Sequence, residues 1–208
     1  MRRFFITGIG TDAGKTTAAA VLTETLNADY WKPLQAGSLD NSDTIKIRSL
    51  ISNTKSILHP ETYRLSAAMS PHAAAAVDGI KIDMEKFILP ETSNTLIIEG
   101  AGGLMVPLND KHFVIDLIEK FKAQAILVSR NYLGSINHTL LSAAMLKSRN
   151  IPVAGIIFNG KTEKASEEFI LNYTGLKCLL RINEEKNVDA EMILKYKSLL
   201  NSDSISGI

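Results

Sequence analysis

The sequence predicts an α/β fold: a doubly wound, mainly parallel sheet with helices on both faces. Three observations predict it. Apolar segments of strand length alternate with longer helix-forming segments along the chain. Two of the strand segments, Leu96-Ile97-Ile98 and Ala154-Gly155-Ile156-Ile157-Phe158, are apolar throughout, as strands covered on both faces must be. A glycine-rich turn, Gly8-Ile9-Gly10-Thr11-Asp12-Ala13-Gly14-Lys15-Thr16-Thr17, joins the first strand segment to the first helix. Taken in order, strands are expected over 3–7, 30–33, 95–99, 125–129 and 153–158, with a weaker one over 179–182. Helices are expected over 15–26, 43–52, 84–87, 114–121, 137–149, 164–173 and 190–200. Leu140, Leu141, Ala144 and Met145 form a helical apolar stripe within the fifth of these.

Composition sets the outer limits. A chain of 208 residues fits one domain with a sizeable core, and no linker or internal repeat divides it. Residues 201–208 read as a loose polar tail. Apolar content of 45% and a net charge of +1, with basic residues scattered, give no footprint for nucleic acid. No apolar run is long enough to cross a bilayer. Met1-Arg2-Arg3 leads straight into a strand and lacks the apolar region of a secretory signal, so the cytoplasm is the expected compartment. The single cysteine, Cys178, excludes an internal disulfide, and its leucine neighbours predict a packed thiol.

The glycine-rich turn carries the first chemistry. Backbone N–H groups in such a turn surround a phosphate chain. Lys15 adds a mobile positive charge, and the Thr16 hydroxyl suits Mg²⁺. The arrangement is P-loop NTPase-like, with a nucleoside triphosphate as the expected ligand. The spacing is a variant: Gly8 to Gly14 leaves five intervening residues where the common motif has four.

Ligands of such sheets gather beyond the carboxyl ends of the strands, and the segments there are chemically unusual. After the second strand, Trp31-Lys32-Pro33-Leu34-Gln35-Ala36-Gly37 places a lysine at the strand end; alone it reads more often as a solvated surface lysine. Asp43, opening the next helix in Asn41-Ser42-Asp43, suits either a helix cap or a magnesium ligand. Glu99-Gly100-Ala101-Gly102-Gly103 ends an apolar strand in an acid and three glycines, a second metal-site element in a phosphate-loop protein. Ser70-Pro71-His72 caps an alanine-rich helix, with Pro71 at its first position and His72 able to meet an anion. Gly134-Ser135-Ile136-Asn137 opens a helix whose free N–H groups suit a carboxylate or a plain turn. Asn159, at another strand end, suits an adenine edge or a turn. The histidines His59, His112 and His138 lack metal-ligand spacing.

Together these segments resemble the dethiobiotin synthetase family, in their order and spacing and from Phe4 to about Asn159. The family shares the longer loop spacing. The resemblance implies conversion of 7,8-diaminononanoate and CO₂ to dethiobiotin, with ATP as co-substrate and Mg²⁺ as cofactor, through a carbamate and a carbamic–phosphoric anhydride. It implies that Lys32 and Lys15 are catalytic. It implies that Asp12, Ala13, Gly14, Lys15, Thr16, Thr17, Asp43, Glu99, Gly100, Ala101, Gly102 and Asn159 hold nucleotide, with Thr16, Asp43 and Glu99 on the metal. Thr11, Lys32 and Ala36 would meet substrate, whose carboxylate would reach Gly134, Ser135, Ile136 and Asn137 of a second subunit in a homodimer. Three departures stand out: Ala36 replaces a frequent serine or threonine, with Ser38 nearby; Asp12 replaces a frequent glutamate; and Arg181-Ile182-Asn183 stands where a proline-containing nucleotide loop is usual.

Other readings remain: a partitioning-type ATPase switch, which carries an extra lysine where this chain has Gly10, a cobyrinate-type amidating ligase, which adds a glutaminase domain, and a plain nucleotide-binding module.

Overall fold

Side chains of the apolar strands alternate between the two faces of a single sheet, and the buried residues gather into three clusters around it. In the computed structural model, which describes residues 1–200, the chain runs β1 (Arg3–Gly8), α1 (Lys15–Leu26), β2 (Asp29–Trp31), β3 (Leu34–Ala36), α2 (Asp43–Leu50), β4 (Leu58–His59), β5 (Tyr63–Leu65) and α3 (Pro71–Val77). It continues through β6 (Leu96–Gly103), α4 (Val114–Lys120), β7 (Gln124–Arg130), α5 (Ser135–Ser148), β8 (Val153–Gly160), α6 (Lys164–Thr174), β9 (Cys178–Asn183) and α7 (Ala190–Leu199). Seven strands form one sheet in the order β4-β2-β6-β1-β7-β8-β9, and each adjacent pair is parallel. Phe4 and Ile6 of β1 face α1, α2 and α7. Phe5, between them, faces the other way, into the core that α3 and α4 cover. The expected doubly wound fold is present.

Chain order reverses at β1. The earlier strands β2 and β4, with β6, lie on one side of it and β7, β8 and β9 on the other, so the turn after β1 opens into the crevice where such sheets bind ligands.

Several elements differ from expectation. The second strand stops at Trp31, because Lys32 and Pro33 turn the chain into a small parallel pair, β3 with β5; the carbonyl of Pro33 accepts from the backbone N–H groups of Thr62 and Tyr63. The helix expected over 84–87 is one 3₁₀ turn, Met84–Lys86, whose end is tied by Asp83. Within α5, Leu141 and Ala144 point outward, and Ser135, Thr139 and Leu146 are the buried positions. Hydroxyls occupy that inner face because Ser129 Oγ and Thr139 Oγ1 satisfy each other at 2.8 Å. Cys178 is exposed at the start of the edge strand β9, where its neighbours Leu179 and Leu180 are buried. The thiol is therefore not packed, although partial burial raises it above its ordinary pKa. The expected tail over 201–208 lies outside the described residues.

Candidate active site

The glycine-rich loop is held open by left-handed backbone at Asp12 (φ 57°) and Gly14 (φ 96°). A Cβ on Gly14 would lie 2.2 Å from the Asn159 amide nitrogen. That close approach is used: Asn159 Nδ2 donates to the Ala13 carbonyl at 3.1 Å and supports the loop from β8. Lys15 opens α1 and folds back so that its Nζ donates to the Gly10 carbonyl at 2.8 Å. Burial pushes its pKa down to about 8, and an arriving anion would raise it again by favouring the charged form.

Beside the loop, three side chains converge on Glu99. Its Oε1 accepts from Thr16 Oγ1 at 2.9 Å and from Lys32 Nζ at 3.1 Å. Its Oε2 accepts from the Tyr30 hydroxyl at 2.8 Å. Lys32 Nζ also donates to the Gly100 carbonyl at 3.1 Å and pairs with Asp43 Oδ2 at 2.7 Å. Lys32 is only 4% exposed. Burial alone would lower its pKa, but the Glu99 and Asp43 carboxylates outweigh that and hold it above the ordinary lysine value. Lys32 is not a solvated surface lysine. Asp43 feels the reciprocal effect: burial would raise it, yet the Lys32 ammonium keeps it below the usual carboxylate range.

Asp43 is not the helix cap. Ser42 caps α2, accepting from the Ile45 N–H, and this leaves the Asp43 side chain free for Lys32 and for Lys46 Nζ at 3.2 Å. Gln35 fixes the turn, its Oε1 accepting from the Asp43 N–H at 3.2 Å and its Nε2 donating to the Gly37 carbonyl at 2.9 Å. Ser70 makes no side-chain cap to α3; its hydroxyl lies 3.2 Å from Nδ1 of the exposed His72.

A cleft of about 840 Å³ unites most of the expected positions. Thr11, Asp12, Gly14, Lys15, Thr16 and Thr17 line one end. Lys32, Ala36, Asp43, Glu99, Ala101 and Gly102 line its floor and side. Ala13 and Gly100 sit behind that lining, supporting it through their carbonyls. Ser38 is exposed and outside the lining, so it does not stand in for the hydroxyl that Ala36 lacks. Gly134, Ser135, Ile136 and Asn137 open α5 outside this cleft. Tyr30, Lys46 and Met69 reach the site without any motif to mark them. For Tyr30 the signal is its place two residues before Lys32, since alternate strand positions share a face.

Fold and site together define a P-loop NTPase-like protein. The septum site-determining protein MinD of Pyrococcus horikoshii, solved with Mg-ADP, superposes with a TM-score of 0.56 at 13% identity, over 98% of this chain and 97% of that one. A ParA family ATPase of Chlorobium tepidum gives a TM-score of 0.53 at 14% identity, over 96% and 98%. At such identities these share the fold alone. A family model described as an AAA domain matches residues 2–192. The ATP-dependent dethiobiotin synthetase BioD of Cytophaga hutchinsonii is 53% identical over 197 residues, 94% of this chain and 95% of that protein. That of Christiangramia forsetii is 52% identical over 195 residues, 94% of each. The chain belongs to the ATP-dependent dethiobiotin synthetase family, and is an enzyme: an ATP-dependent ligase of biotin biosynthesis.

Proposed function

We propose that this enzyme closes the cyclic urea of dethiobiotin from 7,8-diaminononanoate, CO₂ and ATP. The observation that carries the reading is Lys32, buried between Asp43 and Glu99 on the floor of a cleft that continues into the phosphate loop. One amine of the substrate adds to CO₂ and loses a proton, giving a carbamate. A carbamate oxygen attacks the γ-phosphorus and ADP departs. The second amine then attacks the carbonyl carbon of the anhydride, phosphate leaves with the C–O electron pair and takes up the proton the amine gives up, and the ring closes. Carbamate and γ-phosphate are both anions and repel each other as they approach. Lys32 and Lys15 supply the positive charge that lowers this barrier in a partly water-excluded site. Once both amines are on one chain, ring closure gains from proximity. Leu34, Met69 and Val106 give the cleft an apolar wall suited to the aliphatic chain.

The donor set fits Mg²⁺. Thr16, Asp43 and Glu99 offer hard oxygens, and Mg²⁺ bound with a nucleotide takes only one or two carboxylates, the rest coming from phosphate and water. The Lys32 ammonium already lies where Asp43 and Glu99 draw positive charge together. When bound, the metal would neutralise phosphate oxygens and hold the triphosphate in line. Asp12, Ala13, Gly14, Lys15, Thr16 and Thr17 would wrap the phosphates, with Gly100, Ala101 and Gly102 beside them. Asn159 would reach adenine with the oxygen that its loop contact leaves unused. Thr11, Lys32 and Ala36 would meet the diamine. The start of α5, lying outside this cleft, would serve the partner subunit of a homodimer and receive its substrate carboxylate.

The deciding experiment mixes protein, Mg-ATP, bicarbonate and 7,8-diaminononanoate and reads dethiobiotin by mass. Appearance of the product with one ADP per ring is expected. ATP hydrolysis without that product would defeat this reading and favour a nucleotide switch.

A further inference from the structure

Tyr30 is fully buried in the middle of β2, opposite Ile97 of β6. Its ring belongs to the core under α1. Its hydroxyl has one partner, Glu99 Oε2, to which it donates at 2.8 Å. The other carboxylate oxygen, Oε1, receives Thr16 and Lys32. The two oxygens of Glu99 are therefore inequivalent: one is turned into the protein and held there, the other looks toward the loop. A glutamate carboxylate otherwise rotates freely about its last torsion.

We propose that Tyr30 is a positioning residue that sets the metal preference of this site, by tying down Glu99 Oε2 so that Glu99 can offer a cation only its Oε1. The inference rests on the magnesium role given to Glu99 above. Mg²⁺ demands near-ideal octahedral geometry and accepts a single carboxylate oxygen or a water in between, whereas Ca²⁺ accepts both oxygens of one carboxylate in a looser shell. A phenol that occupies Oε2 therefore handicaps Ca²⁺ more than Mg²⁺. Partners behind a ligand typically alter metal affinity by about 10–100-fold.

The test is competition. Mn²⁺ bound with ADP is followed by electron paramagnetic resonance, and Mg²⁺ and Ca²⁺ are each titrated against it, in the wild type, Tyr30→Phe, Glu99→Gln and the double variant. Tyr30→Phe retains the ring and removes only the donor; thermal melting without metal shows that it folds. The expected result is a shift of about tenfold in the Ca²⁺-to-Mg²⁺ ratio toward Ca²⁺ in Tyr30→Phe. The double variant should behave as Glu99→Gln alone, because Tyr30 acts through Glu99. An equal loss for both ions, an unchanged ratio, or additive effects in the double variant would overturn the proposal and leave Tyr30 a packing residue. The readout needs no turnover. A wild type that made no dethiobiotin would sink the reaction proposed above, while a shifted ratio would still establish the role of Tyr30.

Discussion

Lys32 compensates two carboxylates at once, and its removal should be felt before any chemistry is measured. Lys32→Ala leaves Asp43 and Glu99 without their shared cation. Removing one partner of a buried ion pair costs about 3 kcal/mol. The metal-free variant should melt several degrees below the wild type, and Mg-ADP should recover more of that loss than it adds to the wild type, because a divalent cation replaces the missing charge. Turnover should fall by about 10²–10³-fold while calorimetry still shows ATP binding. Unchanged turnover would remove Lys32 from the reaction. In the same way Asp43→Ala and Glu99→Ala should each raise the Mg²⁺ concentration needed for half-maximal rate; a normal magnesium response in both would place the metal elsewhere. These residues were legible because Lys32 follows a strand, Asp43 opens a helix and Glu99 closes the apolar run of β6 beside the loop. Tyr30 and Lys46 were not, since their importance lies in a contact with a residue 69 positions away and in a helical offset from Asp43. Ser42 took the capping role that the sequence left open to Asp43, and that freed Asp43 for Lys32.

At the level of elements, Glu24 binds three helices together from the face away from the cleft. It is 1% exposed on α1 and accepts from the N–H groups of Ser52 and Asn53, just past α2, at 2.9 and 3.0 Å. Lys197 of α7 reaches it at 2.9 Å. Burial would raise this carboxyl, but the hydrogen bonds from Asn53, Lys197 and Ser52 outweigh it and bring the pKa from 4.5 to about 2. A group lowered in the folded state stabilises above its unfolded value and loses that contribution as pH falls through the folded one. Glu24→Gln should therefore be less stable than the wild type by about 2 kcal/mol at neutral pH, and the gap should close between pH 4.5 and about 2. Urea unfolding at stepped pH checks this, and a gap independent of pH would refute it. The loop gives a second case: Gly14→Ala meets Asn159 and a φ of 96°, so nucleotide affinity should drop by more than about tenfold, read by calorimetry. The long strands and helices were visible from their apolar patterns. Strands β3, β4 and β5, of three, two and three residues, are too short to show a period. The inward face of α5 departs from the expected stripe because the Thr139 hydroxyl, paired with Ser129, and Leu146 fill it in place of Leu141 and Ala144.

For the whole molecule, the proposed homodimer places the substrate carboxylate outside the cleft that holds the nucleotide. The described chain encloses the loop, Lys32 and Glu99 in one cleft, yet the start of α5 lies apart from it. Around α5 and α6 the surface is unusually apolar for a solvated one: Leu133 is fully exposed, and Leu141, Phe169 and Tyr173 are 60%, 50% and 73% exposed. Phe169 and Tyr173 stack on each other at 6.0 Å. Covering such a face with a second copy would remove it from water and carry the α5 start toward the partner's cleft, as the proposed homodimer requires. This arrangement makes a quantitative prediction. Lys32→Ala disables a cleft, and Asn137→Glu places a negative charge where a carboxylate should dock. In a mixed dimer of the two, one site combines both lesions, whereas the other combines an intact cleft with an intact α5. Co-expression in equal amounts makes about half of all dimers mixed, so roughly a quarter of wild-type activity should return although each variant alone is inactive. Sites complete within one chain would give no recovery, because every chain would then carry one lesion of its own. Size-exclusion chromatography with light scattering on the same samples separates that outcome from a failure to associate.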